Sequence, residues 1–554
     1  MVRQVRPERP SPDRRRGVAR RGRRHLRSGG AAPVNDFPIL SILIFLPIAG
    51  ALLLALIPGQ RVPTDRFFAW VPGDQQARAK WLALAVSAAT LVISLVLFID
   101  FDHGRPGFQY TDTFTWIDAD DVGFTVRYAF GLDGLSAPLV LLTTFLTTVA
   151  VLISWRIDLR PKEYFAWLLV LETSVLGVFT ALDLLVFFLF WELELIPMFL
   201  LISTWGHGDR RHYSAIKFVL YTVFGSAFML VGFLILGATA GSFDMRDIRG
   251  ADLAGAVLPL QAVFAFILIA FAVKLPVVPL HTWLPDAHTD APTAVSVILA
   301  GVLLKMGGYG VLRLLFTLMP DVGADADLAL AIIAAVSIVY GAIITIRQTD
   351  LKRLVAYSSV SHMGFVLLGV SALGVTGLSG AAMQLVTHGL ITGLLFVVVG
   401  LVYDRTHTRE IADMRGMAHH VPLLATATVF AGFASLGLPA LAGFVAEITI
   451  FLGAFAQHEA PTAVALLGVL LAAGYMLYAL QRTMFGPRDD RWSHLPDIGA
   501  WWEAAPIAAL VAAIILLGVY PSIVMDLFEA AVAPIADGLA LASDSAEAAV
   551  AGGA

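Results

Sequence analysis

The chain has 554 residues, but it contains no cysteine and only 14% charged residues. The lack of cysteine excludes disulfides, thiolate-ligated iron–sulfur clusters and thioether-attached haem within this chain. Hydrophobic residues make up 58% of the sequence, and a soluble core stops growing well before this length. The composition therefore predicts a protein whose solvent is lipid. Its net charge of -5 is spread over many short loops, which gives no indication of nucleic-acid binding.

Runs of roughly 20 apolar residues recur along the chain, and each is long enough to cross a bilayer as a helix. They predict an all-α polytopic membrane protein with about 14 transmembrane helices. We expect these helices near residues 37–57, 80–100, 132–154, 163–182, 183–203, 215–239, 258–274, 291–318, 327–346, 355–373, 379–402, 421–455, 461–481 and 505–526. Pro276 and Pro279 should break the seventh helix, and Pro422 and Pro439 the twelfth, because proline removes a backbone hydrogen bond.

Helices 4–8 and 9–13 are predicted to form two related five-helix units. In each unit the fourth helix is broken by proline and carries an ionisable residue, Lys274 or Glu447. An odd number of helices inserts the second copy upside down, and inverted repeats with broken helices are typical of ion transporters. We therefore divide the chain into an N-terminal extension, three helices, two repeats and a C-terminal part with the last helix, at residues 1–36, 37–154, 155–320, 321–482 and 483–554.

The loops between the predicted helices alternate in charge. The basic loops are residues 156–162, 210–211, 347–353 and 405–415, and the positive-inside rule places them in the cytoplasm and both ends of the bundle outside. The first 30 residues oppose this orientation, because they carry eleven arginines. An arm that binds anionic lipid or nucleic acid and a disordered tail are two interpretations. We favour a third, a misassigned start codon with translation beginning near Val34.

Ionisable side chains at central membrane depth indicate a polar path, because a charge there costs at least ~2.5–3.5 kcal/mol. The principal candidates are Glu192, Lys274, Lys305, His362, His388 and Glu447. Weaker candidates are Glu172 and Lys217, together with His281, Asp286 and His288 in the loop after the broken seventh helix. For that loop, proton uptake or docking of a neighbouring subunit is favoured over metal ligation.

Each candidate also has a purely structural interpretation. The buried lysines and glutamates could form static ion pairs, although burying charge for stability alone is unfavourable. The two histidines could be satisfied core residues, Lys217 could extend to the headgroups, and Glu172 could bond a hydroxyl such as that of Thr173. These alternatives stay open from the sequence.

Lys274 and the proline pair after it support each other physically. A proline break frees backbone groups inside the bilayer, and these need water or polar partners. Water at the break also solvates an ammonium group, so that the charge of Lys274 would depend on the distance to a nearby carboxylate. Glu192 and Glu194 lie about 200° apart around a regular helix and should not share one face.

Several motifs resemble one known family. These are FWELELIPMF, LPVVPLHTWLPDAHTDAPTAVSVILAGVLLKMGGYG, DLKRLVAYSSVSHMGF and GLPALAGFVAEITIF, at residues 190–199, 275–310, 350–365 and 437–451. In order and spacing they resemble chain M of NADH-quinone oxidoreductase, the counterpart of mitochondrial NADH dehydrogenase subunit 4, over about residues 130–490. Glu447 matches chain M, whereas the sister chain L and its antiporter relative typically have lysine there. Glu194 departs from the wider family, which often has an apolar residue at that position.

The resemblance implies a proton-translocating membrane-arm subunit of respiratory complex I in a bacterial inner membrane. FMN, iron–sulfur clusters, NADH and quinone would bind to partner subunits and not to this chain, and its partners would include sister antiporter-like chains. Carried over from the family, Glu192 is the carboxylate paired with Lys274, the switching lysine. Lys305 relays protons to the centre, His362 and His388 hold the central water chain, and Glu447 is the terminal site.

Three other functions remain compatible with the sequence. The chain could be a subunit of a multisubunit cation/proton antiporter, which would use the same residues without NADH. It could be a redox carrier in which His362 and His388 bind haem, although such ligands should lie at matched depth. It could also be a passive scaffold, which the number of ionisable groups at membrane depth makes unattractive.

Overall fold

The computed structural model describes residues 38–56, 75–105, 107–119 and 124–552. Its longer helices are α1 Ile39–Leu56, α2 Gln75–Ile99, α3 Ser136–Ile153, α4 Pro161–Thr180, α5 Leu184–Leu193, α6 Leu195–Trp205, α7 Arg211–Ala240, α8 Leu260–Lys274, α9 Trp283–Asp290, α10 Thr293–Leu318, α11 Asp327–Ile346, α12 Leu351–Ser371, α13 Val375–Thr406, α14 Pro422–Ser435, α15 Ala442–Gln457, α16 Glu459–Thr483, α17 Trp501–Val519 and α18 Ser522–Gly552. The predictions for the N-terminal extension lie outside the described residues.

Helices dominate the described residues, as the sequence predicts. Within them, twelve helices are long and apolar enough to cross a membrane. The predicted class, a polytopic helical membrane protein, is thereby confirmed. The count of fourteen and the inverted repeat stay predictions.

A β-hairpin interrupts the helical pattern before α3. Its strands, β1 Gln109–Ala119 and β2 Phe124–Leu132, pair antiparallel. The sequence analysis placed a loop here and began the third helix at residue 132, because only apolar runs were weighed. Threonines and aromatic residues fill β1, and these residue types favour strands. The helix begins at Ser136, where the carboxylate of Asp133 accepts from the backbone N–H groups of Leu135 and Ser136.

The seventh predicted span is broken as expected, between the end of α8 at Lys274 and the start of α9 at Trp283. Pro276 and Pro279 lie in this gap. The indole of Trp283 donates to the carbonyl oxygen of Val273 at 2.9 Å. One carbonyl at the break thus receives a side-chain partner inside the protein, as backbone at membrane depth requires.

The twelfth predicted span is also broken, but by only one of its two prolines. Residues 436–441 separate α14 from α15 and include Pro439, while Gly437 and Ala440 have positive φ angles of 77° and 72°. Pro422 is instead the first residue of α14. Its assignment as a break was wrong, because a proline in the first helical turn removes no intrahelical hydrogen bond.

The fifth predicted span has an interruption that the sequence analysis did not foresee. Helices α5 and α6 meet at Glu194. Pro197 has no N–H to donate to the carbonyl of Leu193 four residues earlier, which weakens the helix at this point.

The interior of the bundle is built from α10, α12 and α13, whose apolar windows are 94–100% buried. Gly307 of α10 lies directly against α8, because a Cβ there would be 2.7 Å from the backbone nitrogen of Leu275. Wide π-type turns at Leu299–Leu303 and Val311–Leu315 flank the middle of α10, and such turns are frequent at functional sites. These central helices carry Lys305, His362 and His388.

Asp133 gives the first test of the fold, because it both caps α3 and accepts two hydrogen bonds of 2.5 Å from Arg313. Asp133→Ala leaves a buried guanidinium without its carboxylate and is expected to destabilise the protein by ~3–5 kcal/mol. The midpoint of thermal unfolding of the solubilised protein should fall clearly. Asp158→Ala is the matched control, because the side chain of Asp158 is 78% exposed in its pair with Lys80. Equal midpoints for the two variants would contradict this account of the α3 cap.

Candidate functional site

Four of the six principal candidates form one row across the interior. The Nζ atom of Lys305 lies 2.7 Å from Nδ1 of His388 and also donates to the carbonyl oxygen of Ala300. The rings of His388 and His362 are 5.7 Å apart between centroids. His362 Nδ1 lies 3.3 Å from an oxygen of Glu447. The row therefore runs from α10 through α13 and α12 to α15.

Local structure explains how these four side chains meet. Lys305 is fully buried and lies between the two wide turns of α10. Glu447 is on the second turn of α15, just after the second helix break, where a Cβ on Gly437 would lie 2.8 Å from its carboxylate. The break thus leaves space for the carboxylate, whereas the side chains of a continuous helix would fill that space.

A small cavity lies along the Glu447 half of the row. Its lining includes His362, His388, Glu447 and the polar side chains of Gln384 and Ser435. Its volume of about 10 Å³ is close to what one water molecule needs. His388 Nε2 is buried without a hydrogen-bond partner among the described residues. A water in the cavity would give this nitrogen a partner and connect the two histidines.

The other principal lysine, Lys274, forms a separate charged site. Its side chain is fully buried and its ammonium group makes an ion pair with Glu194, which is equally buried. The ammonium also lies 5.3 Å from the ring of Trp191 and 5.5 Å from that of Phe218. Removing one partner of such a buried pair costs roughly 3–5 kcal/mol, because the other charge is left buried without compensation.

The ion pair corrects the prediction that Glu192 is the carboxylate paired with Lys274. Glu192 lies close enough for its charge to interact with that of Lys274, but it is only half-buried and sits beside Ser226. A regular helix through this segment would turn Glu194 away from Glu192, and the prediction rested on such a helix. The junction of α5 and α6 at Glu194 instead brings both carboxylates towards one lysine.

The two lysines are not in direct contact. Within the described residues, no hydrogen bond or ion pair joins Lys274 to Lys305. Their helices instead meet at the backbone, at Gly307 and Leu275. Any proton passed between the two sites would need water between them.

Three of the weaker candidates meet at one end of the bundle. Lys217 forms a 2.7 Å ion pair with Asp286, and it also donates to the carbonyl oxygen of Thr282. His281 is nearly buried, and its ring lies 5.4 Å from that of Tyr340. Lys217 thus has a defined carboxylate partner and does not simply extend to the headgroups.

The remaining two weaker candidates are buried without partners. Both oxygens of Glu172 lack a hydrogen-bond partner among the described residues, and the hydroxyl of Thr173 accepts from the backbone of Ile48 instead. His288 is fully buried and stacks on Phe396 at 4.6 Å, and neither of its ring nitrogens has a partner in the described part of the chain. The charges that act on His288 are those of Lys352 and Lys305.

A group of charged side chains that the sequence analysis did not single out lies next to His288. Lys352 is nearly buried and donates to the carbonyl oxygen of Ala291 at 2.5 Å. Burial, and then the positive charges of Lys352, Arg409 and Arg211, lower the pKa of His207 to about 4. His207 is therefore neutral at physiological pH.

The sequence analysis also missed Tyr475, whose hydroxyl lies 3.5 Å from Nε2 of His362. Lys352 stands in the quoted motif DLKRLVAYSSVSHMGF, so its position in a motif was a usable signal. Tyr475 offered none, because an aromatic residue in an apolar helix is ordinary.

The arrangement is suited to moving protons, because amines, imidazoles and carboxylates in hydrogen-bond contact exchange protons. Among the described residues, no three histidine, aspartate or glutamate side chains are grouped to hold a metal ion.

Comparisons with known proteins identify the family to which the chain belongs. Residues 181–487 match the family described as "NADH:quinone oxidoreductase/Mrp antiporter, TM". The chain is 42% identical over 509 residues to NADH-quinone oxidoreductase subunit M of Rhodobacter capsulatus, which covers 89% of this chain and 96% of that protein. It is 39% identical over 516 residues to NAD(P)H-quinone oxidoreductase chain 4 2 of Synechococcus sp. (strain JA-3-3Ab), which covers 90% and 93%.

Solved structures give the same result. A chain of respiratory complex I from Thermus thermophilus with bound NADH matches with a TM-score of 0.76 at 31% identity, over 90% of this chain and 99% of that one. A chain of the Mrp complex from Dietzia sp. DQ12-45-1b has a TM-score of 0.76 at 19% identity, over 92% and 99%, and shares the fold. The resemblance predicted from the motifs is confirmed: the chain belongs to the subunit M family of NADH-quinone oxidoreductases.

Proposed function

We propose that this chain translocates protons in the membrane arm of an NADH:quinone oxidoreductase. The observation that carries the proposal is the row from Lys305 through His388 and His362 to Glu447, which places four ionisable groups in sequence inside the bundle. Intramembrane ionisable residues that face the protein interior mark proton and ion pathways. Membership of the subunit M family supports the same function.

In the proposed transfer, each residue of the row passes a proton to the next. The Lys305 ammonium gives a proton to His388 Nδ1, and His388 releases a proton from Nε2. That proton reaches His362 through water in the neighbouring cavity, and His362 Nδ1 passes one to the carboxylate of Glu447. The transfer leaves Lys305 one proton poorer and Glu447 one proton richer, while each histidine keeps its number of protons and changes which ring nitrogen is protonated, so the row must be reset before the next transfer.

Lys274 is the switch that couples this row to the rest of the complex. NADH oxidation and quinone reduction occur in partner subunits, which hold FMN and iron–sulfur clusters. Neighbouring membrane-arm subunits, including sister antiporter-like chains, transmit the released energy. A shift of the carboxylate opposite Lys274 changes the charge at the α8 break, and with it the field that acts on Lys305 across the contact at Gly307.

His288 provides the step by which protons reach Lys305. It lies between the charges of Lys352 and Lys305, and both of its ring nitrogens are free to bond water among the described residues. Arg409 and Lys352 belong to the basic loops that the positive-inside rule places in the cytoplasm. Uptake is therefore from the cytoplasm of a bacterium, across its inner membrane, with both ends of the bundle outside.

The first functional prediction concerns Lys274→Met, which keeps the apolar stem and removes the charge. NADH-driven acidification of inverted membrane vesicles and quinone reduction should fall together, because the coupling charge is lost. Electron transfer to an artificial acceptor should persist, since the redox subunits are untouched. Unchanged acidification in an assembled complex would make Lys274 a structural ion-pair partner only.

The second functional prediction concerns the far end of the row. Glu447→Gln keeps the shape of the side chain but cannot accept a proton, and it should lower NADH-driven acidification by about tenfold or more. Glu459→Gln is the matched control, because Glu459 is an exposed glutamate at the start of α16. If both variants acidify vesicles equally well, Glu447 is not part of the path.

A multisubunit cation/proton antiporter is the second candidate, favoured by the shared family description and by the fold of the Mrp chain. Vesicles that contain this chain without the other respiratory subunits distinguish the two functions. We expect no sodium-dependent proton exchange in them, because the switch at Lys274 is driven from partner subunits. Exchange that survives in such vesicles, and is lost in Lys274→Met, would favour the antiporter.

A further inference from the structure

The Lys274 site contains one more carboxylate than a simple ion pair needs. Glu194 is fully buried and pairs with the ammonium group. Glu192, two residues earlier, is half-buried, and the charges of both Lys274 and Glu194 act on it. One oxygen of Glu192, Oε1, is buried and has no hydrogen-bond partner among the described residues.

Three ionisable groups of this kind cannot all be charged without leaving one buried negative charge unbalanced. Two carboxylates close together around one ammonium favour a proton on whichever carboxylate the lysine does not contact. The Oε1 atom of Glu192 has no hydrogen-bond partner among the described residues, and it is a carboxylate acceptor like the oxygen of Glu194 that Lys274 contacts. The site therefore offers two carboxylate partners for one ammonium, one fully buried and one half-buried.

We propose that Lys274 exchanges between Glu194 and Glu192, with Glu194 a positioning residue that holds the lysine in one of its two states. This deepens the proposed function and rests on it. In the first state the lysine is paired with Glu194, as in the structure, and Glu192 carries the proton. In the second state the lysine is paired with Glu192, which has released its proton, and Glu194 has taken one up. The total number of protons in the cluster is the same in both states.

Exchange between two carboxylates solves an energetic problem of the switch. An ammonium that left its only carboxylate inside the membrane would lose its compensation, whereas one that passes to a second carboxylate stays paired in both end states. The two states also differ in exposure, because Glu194 faces the interior and Glu192 is half-buried at the surface of the bundle. A movement in a neighbouring subunit could therefore act on Glu192 directly.

The experiment compares Glu194→Gln, Glu192→Gln and the double variant in the assembled complex, with NADH-driven acidification of inverted vesicles as readout. Each single variant locks Lys274 on the remaining carboxylate, so each should lower acidification by about tenfold. The double variant should be no worse than the poorer single variant, because the groups act as a unit. Glu194→Asp keeps the charge and should retain at least half of the parent activity.

Glu163→Gln is the control, because Glu163 is exposed in the first turn of α4. Acidification at the parent rate in Glu194→Gln, while Lys274→Met is inactive, would overturn the exchange and leave the proposed function intact. Parent activity in Lys274→Met would instead overturn the role of Lys274 as the switch, and the exchange with it.

A structural measurement on the unsubstituted complex does not depend on how the variants assemble. Structures of the complex with and without a quinone-site inhibitor should show the Lys274 ammonium at Glu194 in one state and at Glu192 in the other. The same carboxylate in contact with Lys274 in both states would contradict the exchange.

Discussion

A charge inside the bilayer has to be compensated within the protein, and most of this structure follows from that constraint. Lys274 has a buried carboxylate, Lys305 has an imidazole and a carbonyl oxygen, and Arg313 has both oxygens of Asp133. The carboxylates and the imidazole come from other segments of the chain than the charge that they compensate, whereas the carbonyl oxygen of Ala300 belongs to the same helix as Lys305. The same contacts therefore determine how the helices pack and which side chains can hold a proton.

The helix breaks are the second consequence of the constraint. A continuous helix uses all its backbone hydrogen bonds and leaves little room for water or for a charged side chain. At the α8–α9 break the indole of Trp283 donates a hydrogen bond to the free carbonyl oxygen of Val273, and Lys274 is the next residue. At the α14–α15 break, Gly437 leaves space for the carboxylate of Glu447. The breaks thus accommodate ionisable side chains within the membrane-spanning part of the protein.

The fold class and much of the site could be predicted from the sequence, because apolar runs and isolated charges are visible in one dimension. Lys305, His362, His388 and Glu447 were found this way, and the structure brings all four into one row. The β-hairpin was missed because its strands are too short and too polar to appear in a search for spans. Pro422 was wrongly predicted to break a helix, because a proline that begins a helix and a proline that breaks one look alike in the sequence.

The partner of Lys274 could not be predicted, since it depends on a local irregularity. A regular helix separates Glu192 and Glu194 by about 200°, and only the junction at Glu194 brings both near one lysine. His288 and Lys352 were underestimated for a related reason. His288 stacks on Phe396 of α13 and lies near the charge of Lys305 of α10, and Lys352 donates to the carbonyl oxygen of Ala291. Contacts between helices of this kind cannot be read from the spacing of residues along the sequence.

The central claim is that protons pass along the interior row, and the most direct test interrupts that row at its middle. His388→Leu fills the space between Lys305 and His362 with an apolar side chain, which can neither accept nor donate a proton. The measurement is the rate of NADH-driven acidification in vesicles with the assembled complex, against His494→Leu, a substitution of an exposed histidine. The account predicts that this rate falls in His388→Leu, together with the rate of quinone reduction, and stays at the parent value in His494→Leu. An unchanged rate of acidification in His388→Leu would show that protons take another route.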